Sequence, residues 1–94
     1  MEPVVRNAAD RSRYELIVDE QVVGIADYRV IDDEVVFPHT EIASHLRGQG
    51  LGEILVRGAM DDVRVAGRTV VPRCWFVAEF LEANPEYRDL HVRH

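Results

Sequence analysis

Hydrophobic positions along this chain follow a two-residue period in the first half and a helical period in the second. Tyr14 to Val18 alternates and is rich in branched residues, which predicts a strand. Asp19-Glu20-Gln21 is a polar break of hairpin length, and Val22 to Val30 resumes as a second strand, with a bulge expected at Gly24. Asp32-Asp33 marks another turn, and Glu34 to Ile42 reads as a third strand. Pro38 within it points to an edge position or a bulge, because proline cannot donate to a sheet ladder. From Leu51 the apolar positions fall at 51, 54, 55, 59, 63 and 66, which is helical spacing. Glu53 and Arg57 on the polar face are spaced to pair at i,i+4, and Gly67 closes the helix. Thr69 to Val71 begins a short strand that stops near Pro72. Trp75 to Ala83 reads as a final helix ended by Asn84-Pro85. The predicted order is β-β-β-α-β-α, an α+β (mixed α/β) fold in which an antiparallel meander precedes a β-α-β-α unit.

The chain has 94 residues, 47% apolar and 30% charged, which suits one soluble globular domain over residues 1–94. No apolar run approaches the roughly 20 residues a membrane span needs, and the N-terminus lacks the basic start and apolar stretch of a signal peptide. The single cysteine, Cys74, implies no disulfide within the chain, so a cytoplasmic location is expected. Net charge is −6: residues 1–42 hold ten acids against four arginines, and residues 43–94 hold seven of each. Such a balance argues against nucleic acid as a partner and favours a cationic one such as an amine. No metal site is expected.

Chemistry concentrates where strand gives way to helix, in His45-Leu46-Arg47-Gly48-Gln49-Gly50-Leu51-Gly52. The first turn of a helix has amides without intrahelical partners, and the aligned peptide dipoles add partial positive charge there. Glycines let the backbone approach a phosphate closely, and Arg47 adds a full charge, so a pyrophosphate is the natural guest. A dinucleotide fingerprint would need its glycines early in a parallel unit, and a P-loop needs a lysine, which this chain lacks.

The spacing Arg47, Gly50, Gly52, directly after Glu41-Ile42-Ala43, resembles the coenzyme A pyrophosphate loop of the Gcn5-related N-acetyltransferases. His39 to Ile42, then this loop, then Val71 to Val77, then Asn84-Pro85-Glu86-Tyr87 are together similar to a minimal short-chain subfamily, over Tyr14 to Leu90. The resemblance implies acetyl-CoA as cofactor and a primary amine as acceptor: a lysine side chain, a polypeptide N-terminus or a small amine. It places Ile42 and Ala43 beside the pantetheine arm. The pyrophosphate would lie on Arg47 and the amides of Gly48, Gln49, Gly50, Leu51 and Gly52. Cys74 would lie near the thioester in a gap between splayed strands, and Asn84 would reach the cofactor from the final helix. Fuller members place helices between their first strands and add C-terminal strands. This chain is expected to lack both, with Asp19-Glu20-Gln21 as the whole connection and an open acceptor site as the result.

Each candidate has a plainer reading beside the functional one. Cys74 is a core hydrophobe, or a proton relay or transient acyl acceptor. His39 and Glu41 share one strand face by period two. They are a base pair for an acceptor ammonium, or a strand bend beside a solvated acid. Tyr28 and Tyr87 are candidate acids for the thiolate or ordinary packing residues, and His45 is a phosphate donor or an exposed loop residue. Trp75, Phe76 and Phe80 read as core against the sheet. The alternative to an enzyme is a non-catalytic acyl-CoA-binding or protein-interaction module. Oligomeric state is left open.

Overall fold

The computed structural model describes residues 2–92. Five strands form one sheet in the order β1 (Val4–Ala8), β2 (Arg13–Val18), β3 (Gln21–Ile31), β4 (Glu34–Ile42) and β5 (Thr69–Pro72). The first four pair antiparallel, and β4 pairs with β5 in parallel. Helix α1 (Leu51–Val65) makes the crossover between β4 and β5, and α2 (Trp75–Ala83) follows. Short 3₁₀ turns occupy Ala9–Arg11, Ser44–Leu46 and Pro85–Leu90.

Strand β1 corrects the sequence reading, which began the meander at Tyr14. Its pattern is too short to stand alone: Val4 is exposed, while Val5 packs on Gly58 of α1, where an added Cβ would meet Val5 at 2.7 Å. Arg6 reaches the carboxylate of Glu15 on β2 at 2.8 Å. The strand is fixed by its neighbours rather than by its own periodicity. It also moves the shortened connection. The first two strands are joined by the turn at Ala9–Arg11, whereas Asp19 and Glu20 form a two-residue hairpin turn with both φ angles positive.

Two irregularities shape the sheet. Gly24 pairs with Leu16 and Val22 with Ile17, so the extra residue is Val23, next to the glycine where a bulge was expected. Gly24 itself serves close approach, since a Cβ there would lie 2.6 Å from Ile42 Cδ1. The second irregularity is at Pro38. Strand β4 is interior, not an edge, and between the Asp27–His39 and Arg29–Val36 pairs it carries one residue more than β3. One extra residue flips every later side chain to the other face. Phe37 therefore points into the core, while His39 and Glu41 lie on the opposite face from Thr40 and Ile42.

Both helices cover the same sheet face. Tyr14, Leu16, Ala26, Val35, Phe37 and Val70 from the strands form one cluster with Leu55, Val56, Met60 and Val63 of α1 and Val77, Phe80 and Leu81 of α2. The buried stripe of α1 runs through 51, 55, 56, 59, 60 and 63, so the expected core position Ile54 is instead 40% exposed. The helix ends as expected at Gly67, with φ +72°. The Gly67 N–H donates to Arg64 O (3.0 Å) and the Arg68 N–H to Val63 O (3.1 Å), the paired bonds of a Schellman cap. Arg57 does not pair with Glu53. It reaches Glu86 (3.2 Å) and Asn84 (3.0 Å) and lies over the rings of Phe80 and Tyr87, tying the Pro85–Leu90 turn to α1. Trp75 is also not core: it is 72% exposed.

Candidate cofactor and acyl-transfer site

The parallel pair β4–β5 stops at Phe37 and Pro72. The N–H groups of Arg73 and Cys74 then both donate to Phe37 O, at 3.1 and 2.8 Å, and the chain leaves into α2. From Pro38 onward β4 has no neighbour on that side, and a gap opens. Ala43 N–H donates to Val23 O at 2.8 Å, which fixes the alternation of the β3–β4 ladder. By that alternation the backbone groups of Thr40 and Ile42 turn away from β3, toward the gap. Ala43 turns its N–H the other way.

A cavity of about 540 Å³ fills this gap. Thr40, Ile42, Cys74 and Phe76 form its inner walls, and Arg47, Gly48, Gly50, Leu51 and Gly52 form one end. Gly48 and Gly50 both have left-handed backbones, at φ +84° and +76°, where an L side chain is strained. An added Cβ at either would meet nothing within 4 Å, so the space above them is open. Gly50 is the N-cap of α1, and no side chain caps the helix. Gly50 O accepts from Ile54 N–H at 3.4 Å, which leaves the amides of Leu51, Gly52 and Glu53 without intrahelical partners at the cavity wall. The arrangement suits an anion on the uncapped helix end. Gly52 is held against α2: a Cβ there would lie 2.7 Å from Phe76 Cζ.

The Arg47 guanidinium lies beside both this cavity and a shallower one behind β4, and its Nε is 3.4 Å from Ile42 O. Cys74 is half-buried, with Sγ 3.6 Å from Thr40 Oγ1. Glu41 also borders both cavities, and its Oε2 lies 2.6 Å from His39 Nε2. An ionised carboxylate only accepts, so in that state Nε2 is the donor and Nδ1 holds the free lone pair. The Pro38 bulge thus separates the candidates: the thiol and Thr40 lie on the helix side of the sheet, the His39–Glu41 pair on the other, and the gap joins them.

Other predicted residues lie elsewhere. Ala43 borders only the shallow cavity, and Gln49 borders neither. Asn84 sits at the far end of α2, where its amide donates to Phe80 O (2.8 Å) and accepts from Arg57 (3.0 Å). Tyr28 donates to Asn7 (2.7 Å) and packs with Tyr14 and Phe37. Tyr87 donates to Asp61 at 2.6 Å, with its phenol pushed up by burial and by that carboxylate. His45 is exposed in the Ser44–Leu46 turn. Thr40, Trp75 and Phe76 were not singled out for the site. The signal for Thr40 was its period-two relation to Ile42, legible only once the bulge had set which face that pair occupies.

Among the described residues no helix is long and apolar enough to cross a membrane. No curated protein matches the chain in sequence. Its fold is similar to that of a GCN5-like protein from Staphylococcus aureus solved by NMR. The TM-score is 0.73 at 20% identity, covering 97% of this chain and 89% of that one. It is also similar to the ribosomal-protein-S18-alanine N-acetyltransferase from Escherichia coli, with TM-score 0.60 at 20% identity. That likeness covers 64% of this chain and 39% of the larger enzyme. The family profile described as GCN5-related N-acetyl-transferase matches residues 13–90, and the helix-end loop and splayed strands lie within that span. The chain belongs to the GCN5-related N-acetyltransferases, and acetyl transfer to nitrogen is its reaction class.

Proposed function

We propose that this chain transfers the acetyl group of acetyl-CoA to a primary amine by direct attack of the amine on the thioester. The observation that carries this reading is the uncapped N-terminus of α1, which opens with Arg47 and two left-handed glycines onto a cavity running into the β4–β5 gap. The amides of Gly48 to Gly52 and the Arg47 side chain would hold the pyrophosphate, and the gap-facing backbone of Thr40 and Ile42 would pair with the pantetheine arm. This replaces Ala43, whose N–H is already bonded to Val23. Bound acetyl-CoA supplies an activated acyl carbon, and the chain's own residues do the rest. Remote binding at the helix end orients the arm, and backbone N–H groups lining the gap face developing negative charge. His39, oriented by Glu41, takes the ammonium proton at Nδ1. The thiol of Cys74, which lies beside Thr40 Oγ1, would return a proton to the leaving sulfur.

A polypeptide acceptor is favoured by the short Ala9–Arg11 connection, which leaves the gap open to a protruding amine. The Escherichia coli relative, named for an alanine of ribosomal protein S18, acts on a polypeptide as well. The test is calorimetric titration with acetyl-CoA, CoA and ATP, followed by mass-spectrometric screening of peptide and small-amine acceptors. Saturable binding of acetyl-CoA and CoA, little binding of ATP, and a 42-dalton gain on an amine acceptor support the reading. Binding without transfer would leave an acyl-CoA-binding module, and no binding would remove the cofactor assignment. A Cys74→Ala variant with unchanged turnover would remove the thiol from the mechanism.

A further inference from the structure

Both helices lie on one face of the sheet, so the other face carries no helix among the described residues. Its side chains form rows across the strands. One row is Arg6, Glu15, Ile25 and Glu41; the next is Arg13, Asp27 and His39, with Arg29 two residues further along β3. Charge is unevenly spread along these rows. Glu41 borders the gap and the His39 ring lies beside it on β4, 61% and 51% exposed, with Asp27 facing His39 from β3. Toward β1, Arg6, Arg11 and Arg13 converge on the carboxylate of Glu15 at 2.8, 3.3 and 2.9 Å.

One buried carboxylate cannot neutralise three guanidiniums. Glu15 has no exposed side-chain surface, whereas Arg6 and Arg11 are each about 60% exposed and keep donors directed to solvent. With Arg29 alongside, also exposed, this half of the face is positive although the chain as a whole is acidic. The face is therefore bipolar: acidic at the β4 edge where an amine would enter the gap, and basic from Arg29 on β3 across to the arginines of β2 and β1.

We propose that this helix-free face docks the acceptor as an extended polypeptide, with acidic side chains near the amine to be acetylated. The proposal rests on the acetyltransferase reading above and specifies its acceptor. Strands are spaced by about 4.8 Å, so the arginines of β2 and β1 lie about 10–14 Å from the His39–Glu41 pair, the reach of about three to four residues of extended chain, with Arg29 on β3 nearer. The acceptor amine meets Glu41 and Asp27, and acidic residues three or four positions away meet Arg13, Arg11, Arg6 and Arg29. Such rim contacts select partners and steer encounter more than they add affinity.

The test uses the full chain with three peptides that differ only at positions three and four from a single lysine: Asp-Glu, Asn-Gln or Arg-Lys. Initial rates of acetylation by mass spectrometry give kcat/KM for each. The acidic peptide should exceed the neutral one by about three- to tenfold at low salt and the basic one by more, with the advantage shrinking as salt screens it. In Arg29→Glu and Arg11→Glu, neither of which removes the two shorter contacts to Glu15, the ratio of acidic to neutral peptide should fall to one or below. Equal kcat/KM for the three peptides, or a ratio unmoved by both charge reversals, overturns the proposal. If none of the peptides is acetylated, the polypeptide-acceptor part of the acetyltransferase reading fails. Fluorescence anisotropy of the same peptides, labelled, then decides the docking face alone: acidic-selective, salt-sensitive binding supports it and equal binding overturns it.

Discussion

The two ends of helix α1 are finished in opposite ways. At its C-terminal end the polar groups are tied to partners within the chain by a dense set of bonds. The Schellman bonds satisfy Arg64 and Val63 carbonyls, Arg64 grips Asp89 at 2.8 and 2.9 Å, and Tyr14 and Tyr87 donate to Asp62 and Asp61 at 2.6 Å. Burial and the Asp62 carboxylate push the Tyr14 phenol well above its ordinary range, so it stays a neutral donor. At the N-terminal end the cap is a glycine with no side chain to offer, and the first amides open on a cavity. A helix end left unsatisfied inside an otherwise satisfied fold marks the place where a partner from outside completes the bonding.

The largest effect should come from breaking the closed end. Met60, in the C-terminal half of α1, has no exposed surface, and Met60→Ala should lose about 2–5 kcal/mol of stability through lost burial and a residual cavity. Tyr87→Phe should cost about 0.5–1.5 kcal/mol, because it removes the bond to Asp61, an exposed carboxylate that water can still solvate, and a partner of Arg57. Denaturant titration reads both, and calorimetry of the still-folded protein should show acetyl-CoA affinity changed less than about twofold. A large loss of affinity in these variants would mean the two ends are one cooperative unit, and the contrast between them would dissolve.

The open end should respond the other way. Arg47→Ala removes an exposed side chain bonded only weakly to Ile42 O, so the melting temperature should barely move. Acetyl-CoA affinity should fall about 10- to 100-fold, as expected for losing a charge-assisted bond to phosphate. Gly50→Ala places a Cβ in open space but at φ +76°, costing about 1–2 kcal/mol while reshaping the loop. If Arg47→Ala binds acetyl-CoA as tightly as the parent, the pyrophosphate lies elsewhere.

Much of this contrast was written in the residue pattern. The α1 spacing, the glycine run, Gly67 at the helix end and Pro38 as a bulge are local signals, and local chemistry decides them. What escaped was decided at a distance. Strand β1 depends on Glu15 and Gly58, each contributed by another element. Arg57 had a favourable neighbour at Glu53, yet Glu86, Asn84 and two aromatic rings outcompete it. Asn84 was expected to reach the cofactor on the family resemblance; in the fold its amide donates to Phe80 O and accepts from Arg57, partners that its spacing along the chain does not reveal. The opposite facing of Cys74 and the His39–Glu41 pair follows from one inserted residue, whose position in the ladder no spacing along β4 alone reveals.

A second contrast, between the two sheet faces, can be sharpened by pH. Glu15 is held below the usual carboxylate range, first by the Arg6 contact and then by Arg13 and Arg11, against the opposing effect of burial. Its folded-state pKa is therefore depressed. The stabilisation is fully present above the unfolded value near about 4.3 and is lost as pH falls through the lower folded value. Exposed Glu86 and Asp89 are shifted in the same direction, Glu86 first by its own backbone N–H and then by Arg57, Asp89 by Arg64, so the readout is a difference between proteins. The melting temperatures of the parent and Glu15→Gln should differ most above about pH 5 and converge toward about pH 3. A constant difference across that range would mean that Glu15 acts through shape rather than charge.

The smallest effect lies in the β2–β3 turn, where function asks for nothing. Asp19 and Glu20 both have positive φ, at 50° and 67°. A two-residue hairpin needs that backbone, and Asp tolerates it, but Glu has neither the short polar side chain nor the missing Cβ that makes it favourable. Glu20→Gly should therefore stabilise the protein by about 1 kcal/mol, less the extra entropy that glycine brings to the unfolded chain. The same left-handed geometry at Gly48 and Gly50 is already filled by glycine, beside a cavity. If Glu20→Gly left stability unchanged, left-handed backbone would carry little strain in this sheet, and the glycines of the loop would owe their place to the open space above them.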